Sequence, residues 1–466
     1  MFNRLSVSFL LLLVGLSASA AKPKNVVIFI GDGMAMPQRM TANEFSVKSG
    51  RGNLAMNAMP FQATTRTCSA TSLVTDSAAA ATAIACGSKT YNGGIGVDSK
   101  GRRIESCAET AKSTGRKVGI VTTVTIDHAT PSGFYAHRKN RGESYAIGLD
   151  MIASGFDFFA GGGHSRPNDM KNPLYRGDLR TLAEAAGYKV IREDVAAFRS
   201  LKPGDGKVWY LAVPKTLPDA IDADKWRTLP SLAEITAKAI EMLSDEERGF
   251  FLMVEGGRID WSGHANDAAT NLREVLALDD AVKVAIAFRE KSPDTLVVVT
   301  GDHETGGMTM GFADAGYAFY MDRLTNQTCS AAAIVDFVRE RSPKTLDDFK
   351  PLLTEKFGFD FSTTDTKHNP MALSEGERNR LSNALAHDLA LYAKGKRDDE
   401  KYDAVKITRF ATEVKSIFSH KCGIGWTSGH HTALPVLTTA IGPGAEAFSG
   451  FIDNTQISSK LKDLVR

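Results

Sequence analysis

Cysteine is scarce in this chain of 466 residues: there are five, and no two form a C-x-x-C pair. That spacing excludes a zinc knuckle and leaves room for two disulfides and one thiol among Cys68, Cys86, Cys107, Cys329 and Cys422. Cys86, in an alanine-rich helical stretch, reads as a buried free thiol. Excess charge of one sign is missing too. The chain carries 56 basic and 54 acidic residues, for a net charge of +2, and no basic stripe interleaved with aromatics. That balance argues against nucleic acid as a specific partner. No Gly-Lys-Ser/Thr follows a glycine-rich turn, so there is no P-loop. Internal repeats and low-complexity tracts are absent. Long apolar runs are lacking beyond residue 20. Before it, Arg4 precedes about a dozen apolar residues and then Ala18-Ser19-Ala20, the pattern of a secretory leader over residues 1–20 with a small-residue cleavage site. The run is too short to span a bilayer comfortably, so no stable membrane insertion is expected. The mature chain, 21–466, is expected to be periplasmic or secreted.

What the sequence does have is a series of short apolar runs rich in Val and Ile. Strands are expected at 26–30, 117–124, 156–159, 188–191, 208–213, 250–254, 295–300 and 436–441. Helices are expected between them at 77–85, 104–113, 232–243 and 267–289. Continuous apolar strands alternating with helices predict an α/β fold with a large, mostly parallel sheet covered on both faces. From about residue 311 to 420 the strand signals thin out, helical patterns such as 381–391 appear, and charge rises through "YAKGKRDDEKYDAVK". This segment reads as an insertion before the last core strand. It is either a cap or partner surface, or a solvated helical excursion.

Three apolar runs end in acid beside glycine: "KNVVIFIGDGM" at Asp32, "GFFLMVEGGRID" at Glu255, and "DTLVVVTGDHETGG" at Asp302-His303. In an open α/β sheet, sites form beyond the carboxyl ends of strands, so the fold should gather these three acids at one edge. The flanking glycines allow tight turns and keep bulk away from whatever binds. Carboxylates so gathered repel one another unless cations compensate, and metal ions are the natural compensation. "RIDWSGH" adds Asp260 and His264 at i and i+4, on one helix face. "SGHHTA" adds His430 and His431. Imidazole mixed with carboxylate favours zinc, and an all-oxygen set favours magnesium. His137, His164, His368, His387 and His420 read as hydrogen-bonded or exposed residues, and "GGG" at 161–163 as a plain loop. In "SLVTDSAAAATAIACG", Ser77 opens a run of small helix formers. It is a cap by default. A helix N-terminus also favours bound anions, and a metal-activated serine is a nucleophile.

Taken in order, "DGM", "TDSAAAATA", "HATP", "VEGGRID…GH", "TGDHETGG" and "GHHT" resemble the bacterial alkaline phosphatases of the two-zinc, one-magnesium type. The resemblance runs from about residue 24 to the end of the core, apart from 311–420. It implies one zinc on Asp260, His264 and His431, a second on Asp32, Asp302 and His303, and magnesium on Asp32, Glu255 and Thr130. It further implies Ser77 as the phosphorylated serine and Arg141 as the phosphate clamp, with Arg138 as the alternative, and Trp261 beside the substrate. Small phosphate monoesters are the implied substrates and a homodimer the implied assembly. A related phosphodiesterase or sulfatase, and an exported phosphate- or metal-binding protein, are the competing readings. His128 before "ATP" alters the shell of the third ion. His430 beside His431 leaves the choice of ligand there open to an error of one residue.

Overall fold

The apolar run after Lys24 becomes β1 (Asn25–Gly31), buried along its whole length. In this computed structural model, residues 22–222, 227–244, 246–312, 315–341, 343–393 and 408–466 are described. The expected leader and most of the charged run before residue 408 lie outside them. The other strands in chain order are β2 (Phe61–Arg66), β3 (Lys117–Thr122), β4 (Phe158–Gly161), β5 (Tyr188–Arg192), β6 (Lys207–Leu211), β7 (Phe250–Gly256) and β8 (Thr295–Gly301). They are followed by β9 (Glu304–Thr305), β10 (Met308–Met310), β11 (Ile424–Trp426), β12 (His431–Thr432), β13 (Val436–Ile441) and β14 (Gly450–Asp453). Ten of them form one sheet in the order β14-β2-β13-β8-β1-β7-β3-β4-β6-β5, while β9 pairs with β12 and β10 with β11. Within the large sheet only β13 runs against its neighbours.

Register matters more than strand count. Gly31 of β1 lies level with Gly256 of β7 and Gly301 of β8, so three chains leave the sheet at the same height. β13 runs the other way and enters at that same edge. Two strands of the large sheet were not anticipated, nor were the short β9, β10, β11 and β12 outside it. β2 alternates exposed and buried positions instead of forming an apolar run, and β14 has four residues.

Side-chain caps set the helix starts. Asp76 accepts from Ala79 N ahead of the helix Ser77–Cys86, and Gly87 ends it in the left-handed region. The helix expected from residue 104 begins instead at Cys107, because Ser106 and Glu109 form a capping box. The helices Leu232–Leu243 and Ala268–Lys291 lie where expected, the second capped by Asp267. No helix among the described residues is long and apolar enough to cross a membrane. All five cysteines are free thiols, and Cys86 is buried.

The segment at 311–420 holds the helices Ala331–Arg341, Lys350–Phe357, Glu375–Ala393 and most of Arg409–Cys422. Its aromatic residues interlock: ring centroids lie 5.3 Å apart for Phe349 and Phe410, and 5.5 Å apart for Phe357 and Phe418. These residues belong to the same buried cluster as Val27, Phe29 and Val297 on one face of the sheet. The described part of the segment is therefore anchored in the core, and is not a solvated excursion.

Candidate active site

Six neighbouring strands deliver the acidic and histidine residues to one edge. Asp32 follows β1, Glu255 lies in β7, Asp302 and His303 follow β8, and Thr130 lies beyond β3. His431 sits in β12, just before β13, and Ser77 opens the helix after β2. Asp32, Thr130, Glu255, Asp302 and His303 are fully buried. Gly33 has a φ of +73°, and a Cβ there would lie 2.8 Å from Asp260 Cα. The glycine therefore makes room for the helix Arg258–His264 rather than for a ligand. That close approach is what brings Asp260 to the strand ends.

Three ligand-like groups result. Asp260, His303 and His431 form one, Asp32, Asp302 and His303 a second, and Asp32, His128 and Glu255 a third, with the donor atoms of each within 4.8 Å of one another. His264 joins the first: its Nε2 lies 3.4 Å from Asp260 Oδ2 and 3.2 Å from His431 Nε2. The Nδ1 atoms of His264 and His431 face the carbonyls of Gly429 and Thr75, each at 2.8 Å. Those contacts fix both rings with their Nε2 atoms turned toward each other and toward Asp260, an arrangement that a shared cation satisfies. The neighbouring His430 lines the outer cleft, its ring centroid 6.4 Å from that of His264. In the third group, His128 Nδ1 lies 3.8 Å from Asp32 Oδ2 and 3.9 Å from Glu255 Oε1. Thr130 Oγ1 donates to Asp32 Oδ2 at 3.1 Å.

Electrostatics agrees with the geometry. Burial first, then repulsion among Asp302, Asp260 and Glu255, holds Asp32 well above the ordinary carboxylate range. Burial pushes Glu255 up to about 8 and Asp302 up to about 7. Burial also presses His128 down to about 4, with help from the charge on Arg141. Asp32 Oδ1, Glu255 Oε1, Asp302 Oδ2 and His128 Nδ1 are buried without a hydrogen-bond partner. Buried polar atoms ordinarily find partners. Four orphans in one cluster of oxygen and nitrogen donors fit divalent metal ions, and metal binding is what this part of the chain is built to do.

Ser77 Oγ lies 3.2 Å from His303 Nε2, at the rim of the second group. Arg141 Nη1 donates to Asp76 Oδ2 at 3.1 Å, and its Nη2 lies 3.4 Å from His128 Nε2. Arg138 turns away, donating to Asp150 and to the carbonyl of Ala146. Asp76 was missed by sequence reasoning. Its Oδ1 caps the helix of Ser77 and its Oδ2 holds both Arg141 and Gly93 N, so one side chain ties serine to guanidinium. Glu304 was missed as well. It accepts from Gln38, Gly307 N and Thr432 Oγ1, and so fastens β9 to β12 and its histidine. Only their adjacency to Ser77 and His303 could have drawn notice. Trp261 is half-buried in the cleft wall, with its ring centroid 6.1 Å from that of His128 and 5.1 Å from the Arg258 guanidinium carbon.

The family model for alkaline phosphatase matches residues 23–466. The chain belongs to the alkaline phosphatase family. As a member it is a metal-dependent enzyme that hydrolyses phosphate monoesters. It is 34% identical to alkaline phosphatase 3 of Bacillus subtilis over 454 residues, covering 94% of this chain and 88% of the relative. It is 32% identical to the Escherichia coli alkaline phosphatase over 336 residues, covering 62% of this chain and 71% of that one. The crystal structure of a cold-active alkaline phosphatase from Shewanella sp. superposes with a TM-score of 0.80 at 30% identity, covering 95% of this chain and all of the other. The Thermus thermophilus enzyme gives a TM-score of 0.79 at 26% identity, covering 96% and 92%.

Proposed function

We propose that hydrolysis runs through a phosphoserine at Ser77, in a site holding two zinc ions and one magnesium. Asp260, His264 and His431 would hold the first zinc, Asp32, Asp302 and His303 the second, and Asp32, Glu255 and Thr130 the magnesium. His128 is a further donor at the last of these. In the Antarctic TAB5 alkaline phosphatase, a variant with one histidine changed to aspartate carries magnesium in its M3 site. An imidazole near an oxygen set makes such a site less selective for magnesium. When bound, these ions supply the positive charge that offsets the phosphate dianion and lowers the pKa of the serine hydroxyl.

The chain's own groups do the rest. Arg141, steadied by Asp76, offers its remaining N–H groups to two phosphate oxygens, for which a planar fork is suited. The N-terminus of the ten-residue helix Ser77–Cys86 turns its partial positive charge toward the same oxygens. Ser77 Oγ attacks phosphorus in line, the alcohol leaves, and water then displaces Ser77 from the opposite side. Two displacements retain configuration at phosphorus. The single observation behind this reading is the 3.2 Å between Ser77 Oγ and His303 Nε2, which joins the only candidate nucleophile of the motif to the ligand cluster.

The test is twofold. Elemental analysis of the purified protein should find about two zincs and one magnesium per chain. Enzyme quenched in acid after mixing with a phosphate ester should yield a phosphopeptide spanning Ser77. Turnover without any labelled Ser77 would remove the assignment. Export of the chain from residue 21, the cap role of 311–420 and pairing into a homodimer belong to the same reading. They rest on the leader, the helices at the cleft and the resemblance. N-terminal sequencing of the exported protein and its mass by sedimentation check the first and last.

A further inference from the structure

A cleft of about 1330 Å³ borders the catalytic cluster, which contributes His128, Arg141, Trp261 and His264 to its lining. The lining also carries two cations that the hydrolysis of a simple monoester does not need. Arg166 follows β4 and Lys215 follows β6; both line the cleft and both are exposed. No carboxylate among the described residues lies within ion-pair distance of either. The one acid in the cleft lining is Asp127, and it is already committed. It accepts from Ser165 N at 2.9 Å and from Ser144 Oγ, and faces His164 at 3.8 Å. A cleft with cations on its wall and no available carboxylate is a field that attracts anions.

The two loops are built into position. The glycine run 161–163, read from sequence as a plain loop, is where they meet. A Cβ on Gly163 would lie 2.1 Å from the Pro214 carbonyl oxygen, and one on Gly162 would lie 2.3 Å from that of Lys215. Gly163 N donates to Lys215 O at 2.5 Å. Only glycine lets the backbone before Arg166 lie against the backbone of Lys215. Ser165 Oγ is 3.2 Å from Thr125 Oγ1, which ties this ridge to the loop that carries His128. Thr216 Oγ1 accepts from Arg258 Nη1 at 3.1 Å, which ties it to the helix of Asp260 and His264. In the sheet, β4 and β6 stand two and three strands from β7, so the strands that lead into the ridge are offset by roughly 10–15 Å from the strand that carries Glu255, at about 4.8 Å per strand. That offset suits a doubly phosphorylated small molecule, with one phosphate at Ser77 and the other at the ridge.

We propose that Arg166 and Lys215 form a second phosphate subsite, and that the preferred substrates are small monoesters whose leaving group carries a further phosphate. The inference rests on the Ser77 reading, because that fixes which phosphate reacts. The ridge holds the distal phosphate and so favours the proximal one at Ser77. The bond that breaks is still the ester P–O bond, and the distal phosphate leaves unchanged on the alcohol.

The experiment compares initial kcat/KM for fructose 1,6-bisphosphate with that for fructose 6-phosphate and fructose 1-phosphate. Metal-replete wild type is measured beside Arg166→Gln/Lys215→Gln. Wild type should prefer the bisphosphate about tenfold at low salt, and the double variant should bring that ratio near unity. About 1 M salt, where the Debye length is about 3 Å, should do the same to wild type. A wild-type ratio near unity at low salt, or a ratio untouched by the double substitution, overturns the subsite. Ser77 labelling in the same samples separates the failures. A labelled serine with no preference sinks the subsite alone, whereas turnover without label sinks both.

Discussion

Two clusters of buried acids stand on opposite sides of the helix Arg258–His264, and only one of them lacks partners. On one side are Asp32, Glu255, Asp260 and Asp302. On the other are Asp219, Asp222, Asp267 and Glu274, all buried as well. In the second cluster the chain supplies its own donors. Asp219 pairs with Arg258, and Asp222 accepts from Ser330 N and Oγ. Asp267 accepts from Gln327 and Ala331 N, with Lys415 nearby, and Glu274 accepts from Ala220 N. In the first cluster three carboxylate oxygens and a ring nitrogen have none. Burial alone does not mark a metal centre. What marks it is burial with the internal cation left out.

The largest effect should come from attacking that difference directly. Dialysis against a chelator should cost at least ~10⁴-fold in kcat/KM, because the ions supply most of the charge stabilisation. Readdition of zinc and magnesium should restore it. Glu274→Gln, in the self-satisfied cluster, should leave the metal content intact. If the chelated protein kept its activity, or Glu274→Gln emptied the site, the contrast between the clusters would be wrong. Next in size is Ser77→Ala. Under the proposed phosphoserine route, its loss should lower kcat by on the order of 10⁴-fold or more. Metal content measured on the same sample should not change.

This contrast also explains what could be read from the sequence. Acid next to glycine at the end of an apolar run is a local signal, and Asp32, Glu255 and Asp302 were legible from it. So were Asp260 and His264, because helical spacing puts them on one face. The choice of Arg141 over Arg138 came from the resemblance alone, and the contact of Arg141 with Asp76 across 65 positions of chain needed the fold. His128 stood out as a departure from the family's motif, but its 3.8 Å distance to Asp32 needed the fold. The second cluster was invisible. Asp219, Arg258 and Glu274 meet only through tertiary packing, and none sits in a motif. β2 escaped because its inward residues are Ala63 and Thr65, too small and too polar to register as a core strand. The anchoring of 311–420 escaped because its phenylalanines are scattered among charges.

Third in size is a test of the paired cluster. Arg258 Nε donates to Asp219 Oδ1 at 3.0 Å, and Arg258 also faces Glu274, whose carboxyl burial pushes up to about 8. Arg258→Met should leave Asp219 without its cation and cost about 3–5 kcal/mol of stability, the usual penalty for breaking a buried pair. Urea unfolding of metal-replete protein measures it. A loss well under 1 kcal/mol would mean that Arg258 does little to hold this cluster, and the two clusters would then differ less than their hydrogen bonds imply.

The smallest effect concerns the lysine of the same cluster, and its sign is opposite to intuition. Lys415 lies on the helix Arg409–Cys422, and its Nζ donates to the carbonyl oxygen of Ala265. Burial lowers its pKa from 10.5 to about 8, against the pull of Asp267. In the unfolded chain the ammonium persists to about 10.5. Between those two values the unfolded state binds more protons than the native state, so this group makes stability rise with pH across the window. Below about 8 both states are protonated and the burial penalty is fully present. The gain over the window is at most about 3 kcal/mol. Lys415→Met should remove that rise, so that wild type and variant draw together from pH 8 upward in urea midpoints. Parallel pH profiles for the two proteins would show that Lys415 keeps its proton in the fold. The helix Arg409–Cys422 would then be held to the core by a charged contact with Asp267 rather than by packing around a neutral amine.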